Sequence, residues 1–186
     1  SIRRQRQMCI RDRSERLMEF TESYRRLSYM PEPKKKRFSL TDSLHNLGLL
    51  LQSDFENAHI HFILRSTPSD IYIEGDEKQL SQVFLNLLKN SMQSLEGKTD
   101  GQIEVTLEVT DKLYIKLLDN GQGIPMELQE KIFVPFFTTK TEGTGIGLSL
   151  CRQIIKRHGG NFYLQESRQG KTIFVIEWPV ASFILK

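Results

Sequence analysis

Cysteine is almost missing from the 186-residue chain: Cys9 and Cys151 stand far apart, with no CxxC pair and no histidine-rich spacing. A disulfide scaffold or a cysteine-ligated zinc site is therefore disfavoured, and a reducing, cytoplasmic setting is expected. Long apolar runs are missing too. Stretches such as Leu47 to Leu51 fall far short of the ~18 residues that a membrane span needs. No secretory leader pattern opens the chain, so no membrane contact by this piece is expected. An excess of one charge is also lacking: 26 Lys and Arg against 23 Asp and Glu leave +3, too little to imply a nucleic-acid partner. Neither an internal repeat nor a low-complexity run is present.

The length suits one domain with a short appendage. Charge is uneven along it: residues 1–37 carry 12 Arg or Lys against 5 Asp or Glu, a local +7, which leaves the remainder slightly acidic. Residues 1–13, with their RRQRQMCIRDR run, read either as a solvated basic tail or as residues foreign to the native frame. Residues 14–30 place Leu17, Phe20, Tyr24 and Leu27 at steps of 3, 4 and 3, the seam of a helix that packs on another helix. Residues 31–37, PEPKKKR, stop that helix and form a linker, because prolines cannot continue it and the basic run repels itself. One globular domain is expected over 38–186.

Within it Leu40, Leu44, Leu47, Leu51 and Phe55 share one helical face, with Thr41 or Asp42 as the expected N-cap. HIHFIL (59–64) and IYI (71–73) are strand-like. A long helix from Asp76 to Leu95 buries Leu80, Val83, Phe84, Leu87 and Leu88. Residues 103–109 and 113–118 form a hairpin ending in a buried central strand, and a short helix is expected over Met126 to Ile132. A helix from about Gly145 to His158 and a second hairpin around Gln169 and Gly170 complete the chain.

Chemistry concentrates in three segments. NLLKN puts Asn86 and Asn90 at i, i+4 on one helical face. Asparagine is a poor helix former, so the pair suggests amide oxygens aimed at one target, such as the hard cation Mg2+; two exposed polar residues are the plainer alternative. DNGQGI follows the central strand, and there Gly121 and Gly123 let the backbone turn sharply while Asp119 offers an acceptor suited to an adenine amino group. An ordinary Asn-Gly turn is the rival. KTEGTGIGL, Lys140 to Leu148, carries Gly143, Gly145 and Gly147 before a helix, and its free N–H groups with the Lys140 ammonium suit a polyphosphate. A dinucleotide fingerprint, with Glu166 near the required offset, fails because the spacing is GxGxG and a Pro-containing loop precedes it. A Walker loop fails for want of GK[ST].

The combination, in this order, resembles the ATP-binding catalytic domain of bacterial two-component sensor histidine kinases, in the wider Bergerat-type ATPase superfamily. Residues 86–90 look like its N box, 119–123 its G1 box, FVPFF (133–137) its F box, 143–147 its G2 box, and Gly170 with Thr172 a reduced G3 element. Residues 14–27 before the Pro-rich boundary further resemble the second dimerisation helix of these kinases, in the manner of the nitrogen-regulation sensors. The resemblance implies an α+β two-layer sandwich with a mixed, largely antiparallel sheet. It implies that Asn90, helped by Asn86, holds Mg2+. Asp119, with Thr172 close by, would bind adenine. Lys140, Gly143, Gly145, Gly147 and Leu148 would contact phosphates, and Phe133, Phe136 and Phe137 would anchor a mobile lid.

The implied reaction transfers the γ-phosphate of ATP to a histidine on a dimerisation domain of a homodimer, and thence to an aspartate of a response regulator. The implied location is cytoplasmic, and the opening at Ser1 leaves room for an inner-membrane anchor in the full-length protein. No catalytic side chain is assigned. The family's acceptor is a His followed by an acid, whereas here His45 precedes Asn, His59 Ile, His61 Phe and His158 Gly. His158 is expected to be a helix C-terminal cation. An ATP-gated clamp of the gyrase or chaperone kind would need a Glu where Asn86 stands, since an amide cannot serve as a water-activating base. A degenerate module that only binds ATP is the remaining alternative.

Overall fold

The computed structural model describes residues 28–140, 143–179 and 183–185, with Met18, Thr21 and Arg25 ahead of them. The expectations for the tail over 1–13 and for the seam Leu17, Phe20, Tyr24 and Leu27 lie outside the described residues. In chain order the elements are β1 (Lys36–Ser39), α1 (Leu40–Leu50), α2 (Gln52–Asn57), β2 (Ile60–Thr67), β3 (Ile71–Gly75), α3 (Glu77–Ser94), β4 (Gly101–Val109), β5 (Leu113–Asp119), α4 (Met126–Gln129), α5 (Gly147–Arg157), β6 (Asn161–Arg168), β7 (Lys171–Trp178) and β8 (Phe183–Leu185).

Period-two alternation builds the main sheet. Its order is β2-β4-β5-β7-β6, with β2 parallel to β4 and every other pair antiparallel. Val105, Leu117 and Phe174 lie in one cross-strand row, and Leu107, Ile115 and Ile176 in the next. These side chains all face the core, so one face of the sheet is apolar and takes the helices. The opposite face carries ion pairs, Lys116 with Glu108 at 2.6 Å and Arg65 with Glu104 at 2.8 Å. The result is the expected α+β sandwich with a mixed, largely antiparallel sheet.

A second sheet of order β1-β3-β8 closes one end. Strand β1 begins at Lys36, inside the stretch read as linker, and pairs antiparallel with β3 from Lys36↔Gly75 to Ser39↔Tyr72. Pairing with β3 outweighs the self-repulsion of the basic run, which the local sequence does not reveal.

Helix α3 runs as expected between Asp76, whose carboxylate accepts from Gln79 N–H, and the C-cap Leu95. Helix α1 is capped by Ser39 rather than by Thr41 or Asp42: the Ser39 hydroxyl accepts from Asp42 N–H at 3.1 Å, while Thr41 instead accepts from Ile71 N–H at 3.2 Å. The helix expected over 126–132 is regular only to Gln129 and then continues as turns.

Helix α5 ends in a Schellman motif. Gly159 takes φ +86°, Gly160 N–H donates to Ile155 C=O at 3.0 Å and Gly159 N–H to Lys156 C=O at 3.0 Å. Its cap, His158, is no cation, contrary to the sequence expectation. The ring is buried, its Nε2 accepts the Asp76 N–H at 3.0 Å, and its Nδ1 lies 2.8 Å from Ile154 C=O. Only the neutral Nδ1–H tautomer satisfies both partners. Burial accordingly lowers its pKa below the usual histidine value, against the raising effects of Ile154 C=O and Asp76.

Candidate functional site

One turn of α3 touches both ends of the candidate site. Asn86, Asn90 and Gln93 share a stripe by helical spacing. Ser91 and Ser94 continue the buried stripe of Leu80, Phe84 and Leu87, but as hydroxyls. The first stripe meets Lys140, and the second meets Asp119.

Lys140 Nζ donates to Asn90 Oδ1 at 3.3 Å and also to Gln93 Oε1. Partial burial of the amine lowers the Lys140 pKa below the ordinary lysine value. Two neutral amide oxygens thus already hold one cationic group, which is the donor chemistry that suits a hard cation. Asn86 donates weakly through Nδ2 to Cys151 Sγ at 3.8 Å; that thiol is buried and pushed up to about 12, so it is inert. Among the described residues no group of three or more His, Cys, Asp or Glu is placed to bind a metal alone. A divalent ion at Asn90 and Asn86 would therefore have to arrive with further oxygens, such as those of a phosphate chain.

Asp119 ends the central strand at a core-facing position, opposite Thr172 on β7 and Ile103 on β4. It is 2% exposed. Its Oδ1 accepts from Ser94 Oγ at 2.8 Å and Gly121 N–H at 3.0 Å, and its Oδ2 from Ser91 Oγ at 3.0 Å. Burial raises its pKa above the usual carboxylate value, outweighing the lowering effect of those three donors. Gly121 has no room for a side chain, because a Cβ there would overlap the Ser94 hydroxyl.

Gly123 takes φ +78°, and a Cβ would lie 2.5 Å from the Arg168 carbonyl. This turn is knitted to the β6–β7 turn: Gly170 N–H donates to Gly121 C=O at 2.8 Å. Ile124 N–H donates to Ser167 Oγ, which also pairs with Thr172 Oγ1 at 3.0 Å. Thr172 is thus the cross-strand neighbour of Asp119 and is joined to this turn through Ser167.

The segment between Phe133 and Gly145 has a firm base. Phe133 meets Phe162 and Phe174 edge-on, with ring centres 5.4 and 6.4 Å away, and the Arg152 guanidinium sits 3.9 Å over its ring centre. The other two expected anchors differ. Phe136 is exposed at φ +67°, and it closes the neck of the loop through its backbone, N–H to Gly145 C=O at 2.9 Å. Phe137 is half-buried. Gly145 is obligatory, with φ +67° and a would-be Cβ 2.5 Å from Phe136 C. A Cβ on Gly143 would crowd the Thr138 hydroxyl, whereas one on Gly147 meets nothing within 4 Å. The fold itself thus gives no reason for glycine at 147. Leu148 is half-buried and packs against the core at the start of α5. Among the described residues that helix begins without a side-chain cap, beside Gly147.

The sequence reading missed Ser91, Gln93 and Ser94. A signal existed for the two serines, since hydroxyls occupy positions where the stripe calls for apolar groups.

The sequence profile of the family described as histidine kinase-, DNA gyrase B-, and HSP90-like ATPase matches residues 75–182. Sporulation kinase A of Bacillus subtilis (strain 168) is 35% identical over 146 residues, 78% of this chain and 24% of that protein. The sensory histidine kinase/phosphatase NtrB of Rhodobacter capsulatus is 30% identical over 182 residues, 91% of this chain and 51% of NtrB. The chain therefore spans about a quarter to a half of these relatives. The nucleotide-free catalytic domain of histidine kinase ThkA superposes with TM-score 0.71 at 34% identity, over 78% of this chain and 95% of that domain. ThkA in complex with the response regulator protein TrrA gives TM-score 0.75 at 29% identity, over 92% of this chain and 49% of ThkA.

Proposed function

The chain belongs to the histidine kinase-, DNA gyrase B- and HSP90-like ATPases as a catalytic domain of the histidine-kinase kind, and on that premise we propose that it binds ATP with Mg2+ between α3 and the 133–145 loop. Asp119 takes the adenine amino group, with Thr172 beside it. Asn90, assisted by Asn86, takes the metal, and Lys140 with the amides of Gly143, Gly145, Gly147 and Leu148 takes the phosphates.

The observation that carries this reading is the reach of α3. Within residues 90–94 it bonds to Asp119 through Ser91 and Ser94, and to the loop cation Lys140 through Asn90 and Gln93. A base acceptor and a phosphate-seeking cation are thereby held on two neighbouring faces of one helical turn. When bound, Mg2+ would supply charge neutralisation on the phosphate oxygens. The chain's own groups position: Asp119 orients the base, and Phe133 seats the loop. Lys140 leaves the two amide oxygens for the phosphates.

In the full-length protein the γ-phosphate would pass to a histidine of its dimerisation domain and then to an aspartate of a response regulator. Support comes from the kinase names of the relatives and from ThkA, which was solved with such a regulator. On this reading residues 14–30 belong to a dimerisation helix, 31–37 to a linker and 38–186 to the catalytic domain. An ATP-gated clamp is disfavoured by Asn86, whose amide cannot act as a base. The test is calorimetric titration with ATP and GTP, with and without Mg2+. Metal-dependent binding of ATP with at least tenfold weaker GTP supports the reading, and equal affinities contradict it.

A further inference from the structure

The Asp119 carboxylate is nearly saturated by the protein. A carboxylate offers about four lone-pair directions. Gly121 N–H and Ser94 Oγ take those of Oδ1, and Ser91 Oγ takes one on Oδ2. A single acceptor direction, on Oδ2, is left. The Ser94 hydroxyl also lies 2.8 Å from Ser91 C=O, yet it has only one hydrogen. That carbonyl already receives Leu95 N–H at 3.2 Å, and a carboxylate is the stronger acceptor, so the hydrogen goes to Asp119.

Ser91 is 2% exposed, and its hydroxyl has no bonding partner among the described residues other than Asp119 Oδ2. A hydroxyl at a stripe position, buried against one carboxylate, does nothing for apolar packing that an alanine would not do. Its contribution lies in the carboxylate: without donors, a side chain buried this deeply would be free to rotate about χ2 and would favour its neutral form.

We propose that Ser91 and Ser94 are positioning residues for base recognition, fixing the Asp119 carboxylate so that it accepts one N–H from an exocyclic amino group. The inference rests on the reading of the site as an ATP site and adds a determinant of base specificity outside Asp119 itself. It predicts that the serines act only through the amino group of the base.

That prediction separates a positioning role from a structural one by using two nucleotides. Purine riboside triphosphate is ATP without its 6-amino group. Ser91→Ala should weaken ATP roughly five- to tenfold and leave purine riboside triphosphate within about twofold of its original affinity. Ser94→Ala should act in the same direction. Ser91→Cys, a weak donor of similar shape, should fall between Ser and Ala. The pH profile supplies a second readout: with a donor to the charged form removed, ATP affinity should be lost at a higher pH in Ser91→Ala than in the original chain.

Thermal melting of each variant checks that it folds, and alanine at a helix interior favours folding. Equal weakening of both nucleotides, or no weakening of ATP, overturns the inference while leaving the ATP site standing. Original chain that binds both nucleotides equally also overturns it. Original chain that binds neither contradicts the ATP reading itself, which is a distinguishable result.

Discussion

At Asp119 a carboxylate occupies a position that the alternation of β5 assigns to the core, and the fold supplies three donors to keep it there. A hydrogen bond to a charged acceptor is worth about 1.5–3 kcal/mol, so Asp119→Asn should weaken ATP by roughly 10–100-fold and narrow the preference over GTP, as calorimetry would measure. His158 predicts a pH effect on stability. Its folded pKa lies below the unfolded value because of burial, so the unfolded chain binds the proton more readily. Its contribution is therefore present above the unfolded histidine pKa of about 6.5 and is lost as pH falls below it. The melting temperature should drop between about pH 7.5 and 5.5. In His158→Gln the part of that drop due to this group should vanish, with a general cost of about 1–3 kcal/mol for the broken bonds to Asp76 and Ile154. A pH dependence unchanged in the variant would refute the assignment.

The 133–145 loop behaves as an element with a fixed base and a latched middle. Phe133 is gripped by Arg152, Phe162 and Phe174, the neck is closed between Phe136 and Gly145, and Lys140 is tethered to α3. Nucleotide binding should replace the tether by phosphate contacts, so amide hydrogen exchange across 134–144 should slow when ATP is added. Unchanged protection there would remove the case for a lid. Gly145→Ala places a Cβ against the Phe136 backbone and forces an alanine into φ +67°. Strain of about 1–3 kcal/mol is expected, confined to the loop. ATP affinity should fall several-fold while the melting temperature, set by the sheet and helices, changes by no more than a few degrees.

For the whole molecule, the expectation is ATP binding without self-phosphorylation by the 186-residue chain. None of its four histidines precedes an acidic residue, and His158 is buried with both ring nitrogens engaged. Incubation with γ-labelled ATP followed by acid should show no acid-labile label. Adding in trans a helical hairpin that carries an acceptor histidine should restore it. Strong acid-labile label on the chain alone, abolished by replacing one histidine, would contradict this and identify the acceptor. The catalytic domain is also strapped to the segment before β1: Arg157 donates to Met30 C=O at 2.7 Å, Gln79 to Pro31 C=O at 3.1 Å, and Lys34 N–H to Asp76 Oδ2 at 2.9 Å. Burial opposes ionisation of Asp76, but N–H donors from Lys34, Gln79 and Lys78 hold its carboxyl below the usual value. Through Asp76 the strap and the buried His158 share one joint.

The sequence by itself determined much of what depends on near neighbours in the chain, although the cap of α1 fell to Ser39 rather than to Thr41 or Asp42. Period-two strands around Asp111 and Lys112, the long helix from its Asp76 cap and the glycines that punctuate 119–147 follow from local rules that act over a few residues, while the order of the boxes carries the family resemblance. Those rules also singled out Asn86, Asn90, Asp119 and Lys140 as candidates. Tertiary structure decided what depends on partners distant in sequence. Lys36–Ser39 is a strand only because β3 offers an open edge. His158 is neutral only because Asp76, 82 residues away, presents an N–H to it. Ser91 and Ser94 acquire a role only when the end of β5 brings Asp119 against α3. A side chain's charge state and purpose are set by desolvation and by the donors around it, and those are assembled by folding rather than written beside it in the chain.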